Sequence, residues 1–90
     1  MRVGDIAFAT NRFELYMDFM HRIQARSPFI QTFIVQLCGV PGKGHGSYLA
    51  TKRGAKNRGY SASRYCNLVS PQGGQQLVEA SLKMLNRLAK

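Results

Sequence analysis

Apolar residues recur along this chain with two different spacings. Residues 2 to 9 alternate weakly, with Ile6 and Phe8 on one side, which fits a short strand or an extended arm. From Asn11 the period lengthens. Phe13, Tyr16, Met17, Met20 and Ile23 fall at helical spacing, and Phe19 widens the stripe. Asn11 reads as the N-cap, with Glu14 three positions on to close a capping box. Ser27-Pro28 ends this predicted helix, because a residue before proline is pushed out of the helical region.

The period then shortens again. Residues 29 to 38, "FIQTFIVQLC", are β-branched and aromatic and read as a strand. Phe29, Phe33, Val35 and Leu37 share one face; Ile30, Ile34 and Cys38 share the other. That pattern predicts a central strand covered by helices on one side and partly covered on the other. A turn at "GVPGKGHG", a strand at "SYLATKR", a turn at "GAKNRG" and a third strand at "YSASRYCNLV" follow. Ser70-Pro71 then opens a second helix, with Ser70 as N-cap and Pro71 at the first helical position. Its stripe is Leu77, Val78, Leu82, Leu85 and Leu88, and Lys83, Arg87 and Lys90 lie late, where cations suit the negative end of the helix dipole. Gly73-Gly74 loosens its first turn.

The predicted fold class is α+β: one small domain over residues 1–90, running helix, three antiparallel strands, helix, with an optional N-terminal strand. Both helices cover one sheet face, which buries both stripes and leaves the other face to solvent or a partner. A chain of this size buries about 60% of its unfolded surface, enough for a thin core.

Charge changes the picture most. Thirteen Lys and Arg stand against four acidic residues, for a formal charge of +9 and a pI near 10.3. The distribution is sharper than the total. Between Asp18 and Glu79 there is no acidic residue, while Arg22, Arg26, Lys43, Lys52, Arg53, Lys56, Arg58 and Arg64 all fall in that interval. A field of one sign over much of a small surface attracts polyanions and speeds their encounter. Cys38 and Cys66 lie in apolar contexts without paired spacing, so the expectation is reduced, buried thiols and no zinc site. No cofactor is implied. The N-terminus lacks a signal-peptide core and no segment is long and apolar enough to span a bilayer, so the expected location is cytoplasmic, with no membrane partner.

The stretch "FIVQLCGVPGKGHGSYLA" has the outline of a phosphate-cradling loop, which needs Gly-x-x-x-x-Gly-Lys-[Ser/Thr] between a strand and a helix. Gly39 and Gly44 have the spacing, but His45 stands in the lysine slot, Gly46 in the hydroxyl slot, and Lys43 comes early. Magnesium chemistry would also need a carboxylate on a neighbouring strand, and the interval after Asp18 holds none. Nucleotide hydrolysis is set aside.

Lys43, His45, Tyr48, Lys52, Arg53, Lys56, Arg58, Tyr60 and Arg64 interleave cations with aromatics. Cations meet phosphates and release counterions, and tyrosines stack on unpaired bases. These nine residues form the candidate nucleic-acid site, with RNA favoured over DNA. The element order also resembles that of a double-stranded RNA-binding domain over residues 12 to 89, with Pro28, Phe29 and Ile30 entering the first strand and Pro41 and His45 in the following loop. That family grips phosphates with a basic pair and a lysine opening its last helix. Here the position reads "SPQGGQQ", so the resemblance is one of topology and charge. Two alternatives stand beside binding. One is metal-independent RNA cleavage with His45 as the catalytic group. The other is an inhibitor or adaptor whose basic face docks on an acidic protein surface. The apolar face of residues 29 to 38, or either helix, also suits a homodimer.

Overall fold

The structure, a computed structural model, describes residues 1–39, 48–56, 59, 62 and 69–90. Two short strands, β1 (Arg2–Val3) and β2 (Ile6–Thr10), form an antiparallel hairpin whose turn places Gly4 at a positive φ of 60°. The chain then passes through β3 (Glu14–Leu15) into α1 (Met17–Arg26) and returns as β4 (Gln31–Val35). Later come β5 (Tyr48–Leu49), a short helix α2 (Lys52–Lys56) and the long helix α3 (Pro71–Ala89). The sheet order is β1-β2-β4, and a separate two-stranded sheet pairs β3 with β5.

The α+β class stands: helices pack on a mixed three-stranded sheet. The pairing does not follow the antiparallel expectation. β4 runs parallel to β2, in the register Ala7↔Thr32, Phe8↔Phe33, Ala9↔Ile34. The reason is connectivity. A helix between two strands carries the chain back to the starting end of the sheet, so the second strand lies parallel to the first. The N-terminal strand, optional in the sequence reading, is therefore the sheet's centre.

Register decides which face is buried. Ala7, Thr32 and the half-buried Ile34 point towards the helices, where α1 covers β4 and α3 reaches β2. Phe8 and Phe33 point away and stack on each other at 5.2 Å, with Ile6 and Val35 exposed beside them. The face that carries Ile34 is thus the one under the helices, and the bulkier face with Phe33 and Val35 is the more exposed one. Small residues under α1 let Phe19 and Ile23 reach full burial, and the polar one is satisfied: Thr32 Oγ1 lies 2.5 Å from Ser27 Oγ. The core is Ala7, Phe19, Ile23, Leu49, Val78, Leu82 and Leu85.

The start of the first helix also moves. Asn11 Oδ1 accepts from the Phe13 amide two residues on, a local turn rather than a helix cap. Glu14 and Leu15 stay extended because they pair with Tyr48 and Leu49. The helix begins after Tyr16, which supplies no side-chain cap, and Met17 is exposed. Leu37 takes a left-handed conformation at φ 57° just beyond β4, and Cys38, expected to be buried, is exposed. Cys66 lies outside the described residues. At the other end α3 matches its reading: Ser70 Oγ accepts from the Gly73 amide at 3.2 Å and Pro71 occupies the first turn.

Candidate nucleic-acid interface

Four of the nine candidate residues lie in the described part: Tyr48, Lys52, Arg53 and Lys56. Lys43, His45, Arg58, Tyr60 and Arg64 lie outside it, as does most of the predicted third strand. Tyr48 is half-buried in β5, while Lys52, Arg53 and Lys56 are exposed on α2. Of the predicted strand "SYLATKR", Ser47 lies outside the described residues, Tyr48 and Leu49 are strand, Ala50 and Thr51 form a buried corner, and Lys52 and Arg53 are helix. The predicted turn at "GAKNRG" begins inside α2.

Thr51 makes this corner. Its hydroxyl accepts from the Gly54 amide at 3.1 Å and its carbonyl from the Ala55 amide at 2.8 Å, the bonds of a helix N-cap. The same hydroxyl donates to Asp18 Oδ2 at 2.7 Å, which ties α2 to the first turn of α1. Gly54 lies against the Tyr16 ring so closely that a Cβ there would overlap it. The Arg53 guanidinium donates to the other oxygen of Asp18.

The Asp18 carboxyl is held below its ordinary range, first by the Thr51 hydroxyl and then, against the opposing push of partial burial, by Arg53 and Arg22. Arg22 itself lies over the Phe19 ring at 5.2 Å and donates to Gln75 Oε1 at 2.8 Å. At the far end of the acid-free interval, Arg26 donates twice to Glu79, at 2.5 and 3.0 Å, and holds that carboxyl below its ordinary range too. Both carboxylates that bound the interval are thus committed to an arginine. Lys52 and Lys56 have no acidic partner among the described residues.

Sequence reasoning missed Asp18, Thr51, Gly54 and Tyr16 as parts of this region. Thr51 ahead of a Lys-Arg-Gly-Ala-Lys run is a readable cap signal, but no pattern along the chain marks the carboxylate 33 residues upstream as its partner. Elsewhere, a cleft of about 430 Å³ lies between β2 and α3, lined by Phe8 to Thr10, Ser81, Met84, Leu85 and Leu88 among others. Its lining residues include one cationic side chain, Arg87, together with Met1, which bears the terminal ammonium, and no acidic side chain. Among the described residues no three His, Cys, Asp or Glu side chains gather to hold a metal, and no helix is long and apolar enough to cross a membrane. The chain matches no protein-family model, no curated protein and no solved structure.

Proposed function

We propose that the protein binds nucleic acid, RNA in preference to DNA, by electrostatic capture through residues 43 to 65. One observation carries the reading: the long acid-free interval is bounded by two carboxylates already engaged by Arg53 and Arg26, and Lys52 and Lys56 on α2 have no acidic partner among the described residues. Lys52 and Lys56 stand exposed on one short helix, a grouping suited to successive phosphates, and Arg53 beside them is tied to Asp18. Lys43, Arg58 and Arg64 extend the same charge along the chain, with His45 among them and Tyr48 and Tyr60 as stacking groups.

The test is a salt titration of binding to duplex DNA, duplex RNA and single strands. Affinity falls steeply with salt, and the paired change Lys52→Glu with Lys56→Glu flattens the slope on a single strand by about 1.4, two phosphate contacts at about 0.7 each. Affinity independent of salt for every nucleic acid would end the proposal.

A further inference from the structure

Asp18 is an acidic side chain set into cationic ground. Its two oxygens take the Thr51 hydroxyl and the Arg53 guanidinium, and Arg22 is close enough to act on its charge. A hydroxyl and a guanidinium are also what a phosphate oxygen would accept from. The pair is asymmetric: the Arg53 side chain is 79% exposed and that of Asp18 only 20%. The guanidinium therefore stands where a ligand arrives, with the carboxylate behind it. A phosphate reaching Arg53 meets a cation with one edge already taken, and must share or displace that bond. Lys52 and Lys56 carry no such tie among the described residues.

We infer that Asp18 is a built-in competitor for phosphate, which holds Arg53 back from a bound polyanion and leaves Lys52 and Lys56 as the available grips of α2. The inference rests on the nucleic-acid reading above. Asp18 acts through Arg53 and is a positioning residue. Its bond to Thr51 fixes the helix while its bond to Arg53 limits the charge the helix presents.

The experiment follows binding of a poly-uridylate oligonucleotide against salt for the wild type, Asp18→Asn, Asp5→Asn, Arg53→Gln and the double variant Asp18→Asn with Arg53→Gln. Asparagine at 18 keeps an oxygen for Thr51 and removes the charge. Asp5, exposed in the β1–β2 turn, loses the same charge away from α2 and serves as the matched control. Asp18→Asn binds about two- to fivefold more tightly, the range expected from freeing one exposed ion pair. Its salt slope steepens by about 0.7, one added phosphate contact on a single strand. Asp5→Asn leaves the slope unchanged. Arg53→Gln alone has little effect on the slope, yet in the Asp18→Asn background it returns the slope to the wild-type value.

Equal slopes for Asp18→Asn and Asp5→Asn overturn the inference. So does a loss of about 0.7 in slope for Arg53→Gln alone, a result that needs no change at Asp18. If the wild type shows salt-dependent binding and either result appears, the inference falls and the nucleic-acid reading stands. A wild type without salt-dependent binding removes both.

Discussion

Two helices lean on α1, and each does so through a glycine pressed on an aromatic ring. Gly74 of α3 lies on Phe19, and Gly54 of α2 lies on Tyr16; in both places a Cβ would overlap the ring. Each contact also has a polar tie beside it, Arg26–Glu79 for α3 and Asp18 with Thr51 and Arg53 for α2. The likeness ends there. α3 has 19 residues and buries Val78, Leu82 and Leu85, whereas α2 has five and buries none. Five residues cannot sustain an isolated helix. The polar tie is therefore an accessory for α3 and the main anchor for α2.

The largest effects should come from the α3 contact. Phe19→Ala leaves a cavity beneath Gly74 and costs about 3–5 kcal/mol, read as the midpoint of urea unfolding. Gly74→Ala is destabilising by about 1–3 kcal/mol, although alanine is the better helix former, because the added methyl has no room beside the ring. Phe19→Leu in the same chain recovers part of that loss. Independent, additive effects of the two changes would show that the close approach of Gly74 to Phe19 is not what sets the cost.

Breaking the α2 anchor comes next. Asp18→Ala removes both acceptor oxygens and costs about 1–3 kcal/mol, the usual range for stranding a buried partner, here Thr51. The loss is local. Hydrogen exchange of the Gly54 and Ala55 amides quickens, while amides in the middle of α3 keep their protection. Uniform loss of protection through both helices would mean that α2 is part of the core's cooperative unit.

The same contrast governs what could be read along the chain. α3 was legible because its determinants are local: a serine cap, a proline in the first turn and a stripe at helical spacing, all within 19 residues. Gly73-Gly74 looked like a flaw in that helix, and only the Phe19 ring across the core explains the second glycine. α2 had one legible local signal, the Thr51 cap, and its other determinants are distant: Asp18 and Tyr16 before it and a parallel pairing of β3 with β5 that sets its corner. The same distance effect misplaced the start of α1, whose stripe began early because Phe13, just before β3, packs against the core without being helical. It also hid the sheet's centre, since Ala7 and Ala9 carry little apolar signal although Ala7 is fully buried. Of the candidate site, the charge was legible and its internal pairing was not.

Acid and salt separate the two anchors further. Both carboxyls are held below their ordinary range in the folded chain, so each contributes stability that is present above the unfolded carboxylate value and lost as pH falls through the lowered one. Below about pH 4 the protection of α2 amides should fall before that of α3, whose burial does not depend on a carboxylate. The causes differ as well. Glu79 is held mainly by an exposed arginine, Asp18 first by a hydroxyl on a buried threonine. Added salt screens the first and barely touches the second. A carboxyl titration by NMR at low and high ionic strength should show Glu79 moving back towards its ordinary value more than Asp18. Equal movement would mean that Arg53, not Thr51, dominates at Asp18.

The smallest effect should come from Glu79→Gln. The change removes a two-pronged arginine bond at 2.5 and 3.0 Å, which on geometry alone looks the stronger of the two ties. Yet both side chains stand about half in water, at 54% and 52%, where the arginine re-solvates at little cost and the glutamine oxygen still accepts from it. Gln75, which also donates to Glu79, keeps a partner in Arg22. The thermal midpoint should stay where it is, and the amides of α3 should exchange at wild-type rates. A clear drop in the midpoint would mean that α3 needs its rim as well as its core, and the distinction between an accessory tie and an anchoring one would then rest on α2 alone.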